Sequence, residues 1–386
     1  MEFNDRRQPS PEPEWQHTAL FAALELSGKS WLVATSAPGD TRVSKRTLDA
    51  GDGAGLVVLL EDLRRRIEQR SGSLVPVVTV QEAGLDGFWL HRLLVAHGIA
   101  SHVVVAASIA VDRRKRRRKT DAIDVETLLR ALMAWCRGER GVCSMVRPPC
   151  WEDEDLRRLC REREELLCER IRHTNRIKGL LAGQGISGFR PLDAEDRAHL
   201  DNLITGDGRP LPPRLKAELR RQLGRLAVVL DDLAAVEAER DTLIGAPGDE
   251  GRRHGPALLV QLKSIGPEFA SVVWLEALFR PFANRRQVAA YAGLAPTPWQ
   301  SGGVERDQGI SKAGNARLRR TMIQMAWLWL RHQSGSAISQ WFAARVGTMR
   351  GRVRRIAIVA VARKLLVALW RYVDQGLVPE GAVLKG

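Results

Sequence analysis

Three apolar runs follow one another with almost nothing between them: Ala19–Leu26, Ser30–Ser36 and Thr41–Leu48, separated by Ser27-Gly28 and Pro38-Gly39. Connections this short join strands that lie side by side, so the spacing predicts a three-stranded antiparallel meander. Two periodicities then alternate. Leu56, Leu59, Leu60 and Leu63 recur at helical spacing, Leu74–Val80 is an apolar run, Phe88–His97 is again helical, and His102–Ala107 is a further strand-like run. A helix opens near Asp121 with Leu128, Leu129 and Leu132 on its apolar side. The predicted order is strand, strand, strand, helix, strand, helix, strand, helix.

That order is the one used by ribonuclease H and RuvC-like nucleases, and it predicts an α/β N-terminal domain of this fold. In such a sheet the first strand and the strand after the first helix are central neighbours. Glu25 and Glu82 stand at the ends of those two strands. Asp121 and Asp124 lie three apart at the start of a helix and so share one face. Singly, each carboxylate reads as a helix N-terminal charge or an exposed side chain. Together they form an all-oxygen set able to hold two divalent ions about 4 Å apart for phosphoryl transfer. Magnesium suits oxygen ligands and substrate phosphates best.

The charge agrees with a polyanionic partner. The 386-residue chain carries a net charge of +15, and neutralising phosphates releases counterions. Fifteen Lys plus Arg against four Asp plus Glu lie between Ser301 and the end. Just before Asp121 runs an unbroken basic tract, Arg113, Arg114, Lys115, Arg116, Arg117, Arg118 and Lys119, which reads as a strand-guiding loop beside a phosphate-cleaving site. Cys136, Cys143, Cys150, Cys160 and Cys168 contain no Cys-x-x-Cys pair, so neither a disulfide framework nor a zinc site is expected. No signal peptide opens the chain, and Arg363 and Lys364 break its most apolar late stretch; a cytoplasmic protein without a membrane span is expected.

Composition shifts divide the rest. Residues 1–17 are polar and Pro-rich and are expected to be disordered. The α/β domain is expected over 18–147, a helical coiled-coil region over 148–250, and a mostly helical C-terminal domain over 251–386. In the second of these, Leu219, Leu223, Leu226, Leu230 and Leu233 alternate spacings of four and three. Such a seam fits an antiparallel pair within the chain or a dimerising arm.

In the last region Ile265-Gly266-Pro267 resembles half of a helix-hairpin-helix, with Ser264 where Gly is common. Further on, Ser301 is followed by Gly302 and Gly303. A serine in such a turn can present its hydroxyl to a phosphate at close range, although most such turns are only flexible. Lys312, Arg317, Arg319 and Arg320 follow as candidate phosphate clamps, with Arg352, Arg354 and Arg355 extending the track. Trp327, Trp329, Trp341 and Trp370 read as core or inter-helix packing in preference to base stacking.

The run KTDAID (119–124), the segment EAGLDGFWLHRLL (82–94) and the block from RQVAAYAGLAP through SGG to GISKAGNARLRR (286–320) resemble the DEDD transposases of the insertion sequence 110 type. The resemblance covers nearly the whole chain from about 19 to 373. It implies a RuvC-like domain holding magnesium through Glu25, Glu82, Asp121 and Asp124, a coiled-coil region for assembly as a homodimer or tetramer, and a C-terminal domain whose Ser301 becomes covalently joined to DNA. It also implies guidance by a bridge RNA. One departure is Glu25, where the family usually has Asp. Two other readings remain open: a RuvC-like metal-dependent DNA junction nuclease that uses water, and a degenerate nucleic-acid-binding protein.

Overall fold

The computed structural model describes residues 18–40, 42–84, 87–109, 121–245, 254–301 and 304–385. The Pro-rich tail 1–17 and the basic tract 113–119 lie outside them. Two compact units divide the chain, Met1–Cys150 and Trp151–Gly386.

The first unit contains β1 (Leu20–Leu26), β2 (Ser30–Ser36), β3 (Ser44–Asp49), α1 (Gly53–Ser71), β4 (Val77–Glu82), α2 (Trp89–Ala96), β5 (Ala100–Val104), α3 (Asp121–Cys136) and β6 (Met145–Val146). The strands form one sheet in the order β3-β2-β1-β4-β5-β6. β1, β2 and β3 make the antiparallel meander, while β4 runs parallel to β1 and β5 parallel to β4. The first hairpin closes because Ser27 Oγ accepts the Ser30 amide at 3.1 Å and donates to the Ser30 carbonyl at 2.7 Å. Side chains alternate faces along β1. Phe21 and Ala23 pack with Val78, Val80, Val125, Leu128 and Leu132 on the α3 side. Leu20, Ala22 and Leu24 pack with Leu56, Leu60, Leu90 and Leu94 on the other. The central strands are thus covered on both faces.

Strand boundaries differ from the sequence reading for local reasons. β4 starts after Pro76, whose ring nitrogen has no hydrogen to give a ladder, although its carbonyl accepts from Leu20 N at 2.9 Å. β3 starts at Ser44; ahead of it the Asp40 carboxylate accepts the Arg42 amide at 2.8 Å, and Thr41, where the sequence reading began this strand, lies outside the described residues. β6, paired with β5, has only two residues, too few for any periodicity to announce it.

The second unit opens with α4 (Trp151–Ala182), followed by α5 (Ala194–Ala198) and α6 (Pro213–Gly245). α4 and α6 form an antiparallel hairpin, tied by Arg163–Glu237 at 2.6 Å and Arg176–Glu218 at 2.9 Å. The leucine seam lies inside it: Leu219 and Leu226 pack with Ile177 and Leu181, and Leu233 packs with Leu166. Then come α7 (His254–Val260), α8 (Pro267–Val273), a π-helical turn (Trp274–Leu278), α9 (Arg285–Tyr291), β7 (Pro296–Ser301), β8 (Val304–Ile310), α10 (Ala316–His332), α11 (Ala337–Val346) and α12 (Arg352–Gln375). Their core gathers Leu318, Met322, Met325 and Trp329 with Val361, Leu365, Leu366 and Leu369. The β7–β8 ribbon is an addition to the helices expected from the sequence, and Pro296 and Pro298 coincide with a register shift between its strands. Among the described residues no helix is long and apolar enough to cross a membrane.

Candidate active site

At the end of the sheet the parallel register brings Leu24 beside Gln81, so Glu25 and Glu82 are the next residues in the same row of adjacent strands. By alternation from Ala23 and Val80 both belong to the face that α3 covers. Both are half-buried, where the strands run out of their buried rows. α3 begins with Asp121, exposed, and Asp124, half-buried, and the next residue, Val125, is completely buried against the sheet. Asp121 precedes Val125 by one helical turn, so the acidic first turn extends the stripe that faces the sheet. Lys45 of β3 pins this helix through Glu126 at 2.6 Å, and that hydrogen bond holds the Glu126 carboxyl below the usual carboxylate range. Among the described residues no three Asp, Glu, His or Cys side chains stand close enough to hold an ion as they are. The donor chemistry, carboxylate oxygens on one face at one end of a sheet, fits a hard divalent cation.

Ser301 ends β7 and pairs with Val304 at the turn of the ribbon; Gly302 and Gly303 lie outside the described residues. The ribbon is anchored at its base. Ser311 N donates to Ala295 O at 2.9 Å, Lys312 N to Gly293 O at 3.2 Å, and Asn315 N to Tyr291 O at 2.8 Å. Gly293 (φ +63°) and Gly314 (φ +111°) let the two crossing segments touch: a Cβ on Gly314 would strike the Tyr291 carbonyl, and one on Gly293 the Ala313 carbonyl. Asn315 caps α10 by accepting from Leu318 N at 3.0 Å, and its Nδ2 donates to Glu276 Oε2 at 2.7 Å. Glu276 lies in the π-helical turn and is buried, with Arg317 Nε at 3.9 Å and Arg161 Nε at 4.0 Å. Beside it the buried Arg157 donates to Leu275 O at 2.7 Å and lies over the Phe279 ring; burial pushes its guanidinium down from the ordinary value. The sequence reading missed Glu276, since a lone acid in an apolar segment carries no motif.

The basic residues chosen from the sequence have unequal freedom. Arg319 donates to the Lys312 carbonyl at 3.0 Å and the Ala292 carbonyl at 3.3 Å. Arg317 and Arg320 both pair with Glu164 of α4. Lys312, at φ +57°, is exposed. Of the tryptophans, Trp329 is completely buried and donates to Ser336 Oγ at 2.9 Å, and Trp341 and Trp370 pack against the core. Trp327 is 38% exposed and meets the Arg354 guanidinium of α12 at 5.1 Å, an inter-helix contact outside the core.

Two family models match this chain. One, described as Transposase and built on the DEDD transposases of the IS110 type, covers residues 28–185 and so contains Glu82, Asp121 and Asp124. The other, the Transposase IS116/IS110/IS902 family, covers residues 257–341 and contains Ser301. A putative transposase of Sinorhizobium fredii is 55% identical over 95% of both chains. The chain belongs to the IS110-type DEDD transposase family. More distant relatives of this transposase include a probable family 20 transposase of Pseudomonas aeruginosa, 28% identical over 81% of this chain and 89% of the relative. A transposase for insertion sequence element IS1328 of Yersinia enterocolitica is 27% identical over 67% of this chain and 73% of the relative. As a DNA transposase, the protein acts on DNA, its DEDD domain implies a ribonuclease H-like fold, and that domain points to dependence on a divalent metal.

Proposed function

We propose that this transposase cuts and rejoins DNA through a covalent link between Ser301 and a backbone phosphate, assisted by an acidic site that holds magnesium. The observation that carries the acidic half is the register of β1 and β4, which puts Glu25 and Glu82 in one row on the face that α3 opens with Asp121 and Asp124. These four carboxylates would hold the ion; when bound, it supplies charge neutralisation at the scissile phosphate and its leaving oxygen. Support for the serine half is the placement of Ser301 at the end of a ribbon whose base is fixed by three main-chain hydrogen bonds. Its Oγ–phosphorus bond forms as one ester bond of the DNA backbone breaks, and the hydroxyl proton ends on the departing deoxyribose oxygen. Attack by another strand's hydroxyl reverses these changes and restores a phosphodiester, so no ATP is consumed.

Arg113–Lys119, with Lys312, Arg317, Arg319 and Arg320, would contact phosphates; the exposed Lys312 is the freest of the latter four to do so directly, and Arg319 would act by holding the ribbon's base. The family resemblance supports guidance by a bridge RNA and assembly as a homodimer or tetramer. Denaturing gels after incubation with magnesium, DNA and the cognate RNA test the reading. A protein–DNA adduct is expected. Free nicked DNA would establish the hydrolytic nuclease, and intact DNA the binding protein. Loss of cutting when RNA is withheld is the result expected of RNA guidance.

A further inference from the structure

We propose that Glu276 is a positioning residue for the nucleophile, fixing the base of the β7–β8 ribbon through the side-chain amide of Asn315. This role rests on the reading of Ser301 as the group that attacks DNA.

An acid in this place is costly. From Ala270 to Leu278, across α8 and the π-helical turn, every residue but Trp274 is buried and Glu276 is the single charged one. Among the described residues it is also the only buried carboxylate. A carboxylate taken out of water must be satisfied by partners, and what it gives in return is one arrangement favoured over others. π-helical turns, rare in general, recur at functional sites.

The partners of Glu276 identify that arrangement. Its Oε1 faces the Arg317 and Arg161 guanidinium groups at 3.9 and 4.0 Å, beyond hydrogen-bond reach, whereas its Oε2 accepts from Asn315 Nδ2 at 2.7 Å. The close contact thus goes to a neutral amide. Glu268 of α8 does the opposite: it is an ordinary ion-pair partner, 2.7 Å from Arg240 and 3.4 Å from Arg163, with its side chain 29% exposed.

Asn315 transmits the hold. Its Oδ1 accepts from Leu318 N at 3.0 Å, its Nδ2 is taken by Glu276, and its backbone N donates to Tyr291 O at 2.8 Å. One residue therefore joins α10, the π-helical turn and the 291–295 segment. Both strands of the ribbon leave this junction, β7 beginning at Pro296 and β8 ending at Ile310. Ser301 lies at the far end. Over a lever of about 17 Å, five strand steps, a tilt of about 3° at the base moves the tip by about 1 Å. Capping α10 needs only the Asn315 oxygen; the bond to Glu276 adds the second constraint that removes this tilt.

The test exchanges donor and acceptor. N315D keeps the cap, since Asp and Asn cap helices about equally, but sets an acceptor against Glu276. E276Q/N315D reverses the bond, with Gln donating to Asp at the same total charge. Full-length variants are incubated with magnesium, DNA and the cognate RNA, and the rate of adduct formation is followed. DNA affinity, melting temperature and hydrogen exchange of the 296–310 amides are measured alongside. N315D should form adduct about a hundredfold more slowly, the effect of misplacing a reacting group by about 1 Å, with DNA affinity unchanged and faster exchange in the ribbon. E276Q keeps an acceptor for Asn315 but lacks the charge, and should fall between wild type and N315D. The double variant should recover most of the rate and restore the exchange. E268Q, which breaks an ion pair of the same unit, should lower the melting temperature without slowing the adduct. A wild-type adduct rate in N315D, or a folded double variant that stays slow, would overturn the role of Glu276. If wild type forms no adduct, yet N315D quickens ribbon exchange and the double variant restores it, Glu276 holds the ribbon and the reading of Ser301 is what fails.

Discussion

The two candidate chemical regions are supported in opposite ways. Glu25 and Glu82 ride on β1 and β4, the central pair of a six-stranded sheet with packed faces on both sides. Ser301 rides on a sheet of two strands, and among the described residues no third strand steadies it. A lone hairpin of this kind is marginal by itself, so its aim depends on the crossing of 291–295 with 311–315 at its base. The difference teaches where precision comes from: in the first region from burial, in the second from two glycines and a few polar contacts. Substitutions should therefore act differently in each.

The largest effects test whether both regions are chemical. Asp121→Asn removes charge without changing shape, and should reduce cleavage by roughly three orders of magnitude while leaving salt-dependent DNA binding intact, as removal of a group acting within a catalytic unit does. Ser301→Ala should eliminate adduct and recombinant product together with an unchanged melting temperature. Ser311 is the control, since its backbone amide belongs to the ribbon's base at Ala295; Ser311→Ala should keep the adduct. Recombination by Ser301→Ala but not by Ser311→Ala would move the nucleophile to the other end of β8. Full cleavage by Asp121→Asn would dismiss the acidic site.

Next in size are the glycines. Gly314→Ala forces a side chain into the left-handed region and against the Tyr291 carbonyl, which should cost about 2–4 kcal/mol, the sum of backbone strain and a displaced contact. Gly309, at φ +90° with open space around it, isolates the backbone part; Gly309→Ala should cost about 1 kcal/mol. Melting curves read both. If the base aims the ribbon, Gly314→Ala should also lose adduct at temperatures where it remains folded, with Asp121 still in place. Equal behaviour of the two variants would break the comparison.

Much of this is legible in the amino-acid sequence. The short turns at Ser27-Gly28 and Pro38-Gly39, and the switch to helical spacing at Leu56, fixed the order of elements, and that order put Glu25 and Glu82 on neighbouring strands. These signals are local and repeat every two or about four residues, so they survive in a single sequence. The ribbon was not legible, because Pro296 and Pro298 mask the alternation of β7. Nor was the partnering of Arg317 and Arg320 with Glu164, which lies over 150 positions away in sequence. The leucine seam of α6 was visible, but a seam carries no label for its partner; α4 supplies one within the chain.

Ser264 occupies the turn between α7 and α8 at φ +84°, with its hydroxyl buried and without a hydrogen-bond partner among the described residues. A left-handed conformation costs a non-glycine residue about 1–2 kcal/mol. Ser264→Gly should therefore raise stability by about 1 kcal/mol, read as a higher melting temperature. It lies in neither chemical region, so cleavage should be unaffected.

The smallest effect sharpens the comparison from the sheet side. Lys45 and Glu126 join β3 to α3 two residues beyond Asp124, and their side chains are about one-third exposed (33% and 29%). A pair this open contributes less than about 1 kcal/mol. Because Lys45 holds the Glu126 carboxyl below its ordinary value of 4.5, the contribution is fully present above that pH. It fades as the pH falls through the lowered folded-state value. Wild type and Glu126→Gln should thus differ slightly but constantly in stability near neutrality, converge in acid, and converge likewise in high salt. Cleavage provides the second readout. If burial of Val125 and Leu128 alone sets the helix, Glu126→Gln should cleave normally; a loss of cleavage larger than the loss of stability would mean that the acidic region, like the ribbon, depends on a polar contact for its aim.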